Sequence, residues 1–316
     1  MNFQNMIAAS PVLLTEGSVV ERINRHPSVN LDLHICHSGL IYDSKGKAVL
    51  KEIYMEYLDI GKRYNLPILS LAPTWRANPE RIKQSVFSKH PNINKDCVNF
   101  LKEIRKRYSE YSKHIFIGGL MACRGDAYRP QEALSKVAAE LFHKEQAALL
   151  AESDVDFIKA ATLPAVSEAY GIASAISSHN IPYILSFVIK PDGTILDGTP
   201  LHAAIELIDS EIDPQPLFYM VNCVHPTIFE QAMAKEIKFS KMITDRLLGF
   251  QANTSSKSPD ELDNLDYLDT SDPEEFSASM IALHNRFSLK VLGGCCGSDS
   301  AHITAMAKRM HCKNNV

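Results

Sequence analysis

The sequence is poor in several signals that would settle its class at once. Its 316 residues contain one tryptophan, Trp75. No apolar run approaches the ~20 residues of a membrane-spanning helix, so no membrane partner is expected. Positive charge is short as well. There are 33 Lys and Arg against 37 Asp and Glu, for a net charge of -4, and the basic footprint of a nucleic-acid binder is missing. No G-x-G-x-x-G follows the first apolar run, which argues against a dinucleotide-binding sheet. No C-x-x-C occurs, which argues against a thioredoxin-like redox site. Seven cysteines are an odd number in a chain this long, and they do not form a disulfide framework. They suit a reducing cytoplasm, where thiolates can serve as metal ligands. The segment Met1-Asn2-Phe3-Gln4-Asn5 lacks the basic start and apolar run of a signal peptide.

What is present is alternation. Short apolar runs bounded by turn residues fall at 12–15, 67–72, 114–120, 155–160, 182–189, 216–221, 245–252 and 287–292. Helical periodicity follows each run, as at 51–63, 95–111, 131–151, 164–178, 201–208, 228–237, 273–286 and 302–310. Strands alternating with helices predict a parallel sheet, and eight units predict a closed (β/α)8 TIM barrel. An open, doubly wound sheet is the alternative. No linker interrupts the pattern, so residues 1–316 read as a single domain. Residues 254–275 read as a long acidic surface loop with Asp260, Glu261, Asp263, Asp266 and Asp269. That loop lacks the spacing and central glycine of a calcium site. The cluster His34-Ile35-Cys36-His37 lies in a loop-rich stretch and has no second half at zinc-site spacing, so it reads as a loop with chance polar residues.

Barrel enzymes build their sites at the C-terminal ends of the strands. In order, these ends carry Glu16, Trp75, Cys123 with Arg124, Thr162, Val188 with Lys190, Cys223, Asn253, and Cys295 with Cys296. The last pair sits in Val291-Leu292-Gly293-Gly294-Cys295-Cys296-Gly297. Two thiols on one glycine-rich turn can hold a soft metal if a third ligand arrives from elsewhere, and Cys223 at the end of strand six is placed to supply it. The plainer reading is of buried cysteines acting as small hydrophobes. Cys123 is a rival ligand on a distant strand. Cys36, Cys97 and Cys312 read as structural. Trp75 is either rim packing or an aromatic wall for a cation. Arg124 either meets an anionic substrate or pairs with Asp126.

At these residues the sequence resembles the zinc-dependent homocysteine S-methyltransferase family. The resemblance rests on Val221-Asn222-Cys223 followed about seventy positions later by Gly293-Gly294-Cys295-Cys296-Gly297, and it runs from Leu13 to Met310. His302-Ile303, Asn253, and Thr162 with Glu168 also fit its pattern. The resemblance implies a (β/α)8 barrel in which Cys223, Cys295 and Cys296 bind Zn2+. It implies a small-molecule thiol and a methyl donor as partners. The thiol would be deprotonated at zinc and take a methyl group from a sulfonium or ammonium donor. With homocysteine as the default acceptor, the product is methionine. It further implies substrate contacts from Glu16, Trp75, Thr162, Asn222 and Asn253. The chain departs from the family at two acids associated with the amino group of homocysteine. Asp-Gly-Gly after strand one is here Glu16-Gly17-Ser18, and Glu-Thr after strand four is Ala161-Thr162. Three readings therefore stand. One is methyl transfer to homocysteine, one is the same zinc chemistry on another thiol or donor, and one is a barrel whose metal is structural.

Overall fold

In a computed structural model, which describes residues 2–257, Glu261 and residues 268–314, the strands close into one barrel. The strands are β1 (Leu13–Thr15), β2 (Ile68–Leu71), β3 (Ile115–Met121), β4 (Phe157–Leu163), β5 (Tyr183–Phe187), β6 (Phe218–Val224), β7 (Leu247–Ala252) and β8 (Val291–Gly294). They pair in parallel in chain order, and β1 pairs with β8 through Leu13 opposite Val291. The expected (β/α)8 barrel is the observed fold.

Alternation along the strands sorts side chains into two packings. Leu13, Leu69, Phe116, Phe157, Phe218 and Val291 fill the lumen at the N-terminal end of the barrel. Ile68, Ile115, Ile117, Ile158 and Phe250 face outward into the shell beneath the helices. A helix not expected from the sequence, α1 (Phe3–Ala9), adds Phe3, Met6 and Ile7 to the lumen cluster. The Phe3 ring stacks on Phe157 at 4.4 Å. One end of the barrel is thus filled with apolar side chains, and the pocket opens at the other.

Among the described residues the other α-helices are α2 (Val20–Asn24), α3 (Ser44–Arg63), α4 (Pro79–Gln84), α5 (Ile93–Arg105), α6 (Lys136–Ala151), α7 (Val166–Ser177), α8 (Leu201–Glu211), α9 (Pro226–Glu236), α10 (Met242–Arg246), α11 (Pro273–Phe287) and α12 (Ser300–Asn314). Proline in the first turn starts α4, α9 and α11, where its missing N–H is no loss. Several boundaries differ from the sequence reading. The helix expected over 95–111 leaves α geometry at Lys106, because Tyr108 and Tyr111 turn in to hydrogen-bond Asp59 and the Leu66 carbonyl. Helix α6 starts late, since the Ser135 side chain caps it by accepting from Ala138 N. The seventh strand begins at Leu247, because residues 242–246 form α10. The eighth begins at Val291, since Phe287 ends α11 and Ser288 is left-handed. Of the acidic loop, Ser258, Asp260, Asp263 and Asp266 lie outside the described residues. No described helix is long and apolar enough to cross a membrane.

Candidate metal centre and substrate pocket

A cavity of about 810 Å³ occupies the C-terminal mouth of the barrel. Cys223, Cys295 and Cys296 stand together in its wall, with their three sulfurs within 4.8 Å of one another. Among the described residues this is the sole group of three or more His, Cys, Asp or Glu spaced to hold a metal. Cys223 and Cys295 are joined as a disulfide, and Cys296 is a free thiol. The cavity's low dielectric pushes the Cys296 thiol up to about 12, and the nearby Glu21 carboxylate adds to that. Cys123 stands apart from the group, with its thiol directed at the Gly125 carbonyl. Cys97 is buried in α5, Cys36 is half-buried in its loop, and Cys312 is exposed on α12.

The sulfurs converge because the strands depart from regular geometry. Strict alternation would put Asn222 and Cys223 on opposite faces of β6. Instead Cys223 has φ 57°, the register shifts between Asn222 and Val224, and both side chains line the cavity. Strand β4 does the same. Thr162 has φ 61° at a register shift between Ala160 and Leu163, so Ala161 and Thr162 both face the cavity. Left-handed backbone at a non-glycine residue costs on the order of 1 kcal/mol or more, and such strain gathers at functional sites. Asn222 ties the two irregular strands together. Its Oδ1 accepts from Thr162 N at 3.0 Å and from Ser186 Oγ at 2.6 Å, and its Nδ2 donates to Thr162 Oγ1 at 2.9 Å.

The turn after β8 is anchored at almost every backbone group. Cys295 N donates to the Ala252 carbonyl at 2.7 Å, Cys296 N to Asn253 Oδ1 at 3.2 Å, and Gly297 N to Glu21 Oε2. Thr254 N donates to the Cys296 carbonyl at 3.1 Å. The glycines there have separate tasks. Gly297 takes φ +80°, where a side chain is strained. Gly293 lies against β1, and a Cβ there would come within 2.9 Å of the Thr15 and Glu16 carbonyl oxygens.

The other candidate residues also line the cavity, though with different surroundings. Glu16 is 5% exposed; its carboxylate accepts from Ser70 Oγ and Leu71 N at 3.1 Å. Burial raises it to about 8 against the pull of those bonds and of Lys159. Trp75 is half-buried on the cavity wall, and the Arg76 guanidinium stacks on its ring at 4.6 Å. Asn253 faces the cavity while holding Cys296 N. Arg124 does neither of the things expected of it. It pairs with Glu80 at 3.4 Å, away from the cavity lining, while Asp126 lies 3.9 Å from Arg129. Glu168 is fully buried and serves as a brace, accepting from Arg124 N at 2.7 Å and contacting His143 Nε2 at 2.9 Å. Asp269, from the acidic loop, closes over the cavity edge through Ser255 and Lys257.

Three residues of the site escaped the sequence reading. Lys159, in the middle of β4, is 2% exposed, and its amine donates to Gln251 Oε1 across the lumen. A lysine inside an apolar strand run was the available signal. Gln251 itself sits in β7 and lines the cavity. His37, in the cluster read as chance, is a buried cavity residue whose Nδ1 has no hydrogen-bond partner among the described residues. Burial pushes it down to about 4, so it is neutral at physiological pH.

Comparison with known proteins agrees with this geometry. Three solved forms of the homocysteine methyltransferase MmuM from Escherichia coli share 17% identity with the chain, covering 96% of it and 98% of their own length. The metallated form superposes with a TM-score of 0.75, the oxidized form with 0.73 and the apo form with 0.67. At that identity the likeness speaks for the fold. A search of curated proteins finds no match. A family model described as homocysteine S-methyltransferase matches residues 13–310, nearly the whole chain, and the protein is therefore a methyltransferase belonging to the homocysteine S-methyltransferase family.

Proposed function

We propose that this chain transfers a methyl group from a sulfonium or ammonium donor to a small thiol activated at a zinc centre formed by Cys223, Cys295 and Cys296. The observation that carries this reading is the convergence of three sulfurs within 4.8 Å at the wall of a substrate-sized cavity. The donor set fits zinc. Ligands at about 2.3 Å in tetrahedral array place sulfurs about 3.8 Å apart. Three thiolates suit a borderline-soft ion better than magnesium or calcium. No fourth His, Cys, Asp or Glu among the described residues joins the group, which favours a catalytic site with an open position over a structural one. Loading requires the Cys223–Cys295 disulfide to be reduced, in keeping with a cytoplasmic setting.

Bound there, zinc would lower the pKa of the incoming thiol so that a thiolate exists near neutral pH. The protein's own groups set the geometry. Asn222 and Thr162 lock the strand ends beside Cys223, and Asn253 holds the backbone of Cys296. Trp75 offers an aromatic wall to the donor cation. The acceptor sulfur attacks the methyl carbon in line, a new S–C bond forms, and the bond to the donor's positive sulfur or nitrogen breaks. The electron pair leaves with the donor, which departs neutral. Homocysteine, the acceptor named by the family, would give methionine.

The test is metal analysis and turnover on protein purified under reductant. About one zinc per chain is expected, and methyl transfer from S-methylmethionine or betaine to a thiol should stop when zinc is stripped and return when it is restored. Turnover that survives complete removal of zinc would overturn the reading.

A further inference from the structure

Left-handed backbone occurs at eight described non-glycine residues, and five of them have an ordinary reason. Asn65, Asp154, Asn180 and Ser288 follow the ends of α3, α6, α7 and α11, where the chain turns away from its helix. Ser109 lies in the kink after α5. The other three are Thr162, Cys223 and Cys36. The first two aim side chains at the cavity. Cys36, with φ 57°, stands immediately before His37, which also lines it.

The loop that carries His37 is fixed from outside. Asp32 accepts from His34 N at 2.8 Å, from Ile35 N at 2.9 Å and from Ser85 Oγ at 2.8 Å. Arg81 Nη1 donates to the His34 carbonyl at 3.2 Å, and Asp32 and Cys36 exchange backbone hydrogen bonds. The imidazole itself is held by nothing polar. It is 2% exposed, and neither ring nitrogen has a hydrogen-bond partner among the described residues. A neutral imidazole offers one donor and one acceptor. Buried polar groups are nearly always paired, so a ring left unpaired beside a substrate cavity points to a ligand.

Resting on the methyl-transfer reading above, we infer that His37 is a substrate-binding residue whose ring N–H hydrogen-bonds a substrate carboxylate. The supply of charge around the cavity decides for a carboxylate over an ammonium. Among the described residues Arg25 is the sole Lys or Arg on the lining, and it pairs with Glu21 at 3.4 Å. Lys159 donates to Gln251 across the lumen. Residues 258–267 carry no Lys, Arg or His. Acids are plentiful by contrast, since Glu16, Glu21 and Asp269 all line the cavity and residues 258–267 add more to the chain. A substrate ammonium therefore has carboxylates to meet, whereas a substrate carboxylate meets few donors besides His37. Burial keeps the ring neutral, and an arriving carboxylate draws it toward its protonated form, which strengthens the bond.

The experiment reads binding and needs no turnover. Trp75, the only tryptophan, lines the cavity and reports occupancy by its fluorescence. Equilibrium dialysis of the same ligands gives the affinity where that signal is silent. Two matched pairs are titrated into reduced protein supplied with zinc. For the donor, dimethylsulfonioacetate is set against trimethylsulfonium. For the acceptor, homocysteine is set against 3-aminopropanethiol, which lacks only the carboxylate. His37→Phe is expected to weaken the carboxylated member of one pair by about tenfold or more and leave its decarboxylated partner unchanged. The pair affected tells which substrate's carboxylate the ring holds. His37→Gln keeps an N–H donor and should recover most of the loss. Such a pattern in protein that transfers no methyl group supports this inference while the proposed reaction fails. Unchanged affinity for both carboxylated ligands overturns the inference. Equal weakening of both members of each pair in both variants overturns it too, since it marks a packing role, and so does failure of the unaltered chain to bind either carboxylated ligand.

Discussion

The two sides of the cavity are built differently. Around β6, β7 and β8 the backbone itself is the scaffold. Cys295, Cys296 and Gly297 are each tied by their amides, and Cys223 is aimed by a left-handed residue clamped through Asn222. Around β1, β2 and β4 side chains do the work. Glu16 holds Ser70, and Lys159 holds Gln251, which reaches in from β7, so the buried polar groups there are fixed by side-chain contacts. A site held by backbone geometry preserves its ligands, whereas one held by side-chain charge can change the molecule it accepts.

The comparison breaks most sharply at the cysteine turn. Cys295→Ala should take zinc from about one per chain to none and methyl transfer to background, since a catalytic zinc is held by three protein ligands and the variant leaves two. Metal analysis under reductant measures it, and full zinc retention would falsify the ligand assignment. Next in size is Asn222→Ala. It leaves Thr162 N and Ser186 Oγ without their buried acceptor, which costs about 1–3 kcal/mol of stability. Urea unfolding reads this directly. A loss well below that range would mean the strand ends do not depend on the clamp.

The same division explains what could be read from the sequence. The barrel was legible because each strand carries an apolar run and each helix a period, and because Cys223 and Cys295 fall at strand ends whatever the exact boundaries. The aiming of Cys223 and Thr162 was not legible. A left-handed φ at a cysteine or threonine has no composition signal, unlike Gly297 in its turn. Helix α1 was missed because its apolar residues, Phe3, Met6 and Ile7, are too few to show a period alone. His37 was dismissed with its loop, since only tertiary packing brings that loop over the cavity. Lys159 stood in plain view in an apolar strand, but its partners Gln251 and Glu16 come from strands far away in the chain.

Smaller effects sharpen the side-chain half. Trp75 already carries the Arg76 guanidinium on its ring, so only part of its surface remains for a donor cation. Trp75→Ala should raise the KM for the donor by about 2- to 30-fold, corresponding to ~0.5–2 kcal/mol, and leave the acceptor's KM in place. Trp75→Phe should restore most of the loss. A change in acceptor KM alone would move Trp75 to the other substrate.

The smallest effect is the pH dependence of stability attached to Glu16. Its carboxyl has an ordinary value of 4.5 and is raised to about 8 by burial. Between those values the folded chain holds a proton that the unfolded chain has released. Stability from this group is therefore fully present below the unfolded value and declines as pH rises toward about 8. Lys159 contributes with the opposite sign and higher up. Lowered from 10.5 to about 7, it binds fewer protons folded than unfolded between those values, so its contribution improves as pH rises through that window. A scan from about pH 5 to about 6.5 isolates the first contribution. Glu16→Gln should make the slope of Tm against pH more positive than in the unaltered chain. An unchanged slope would show that Glu16 is ionised and solvated in the folded protein.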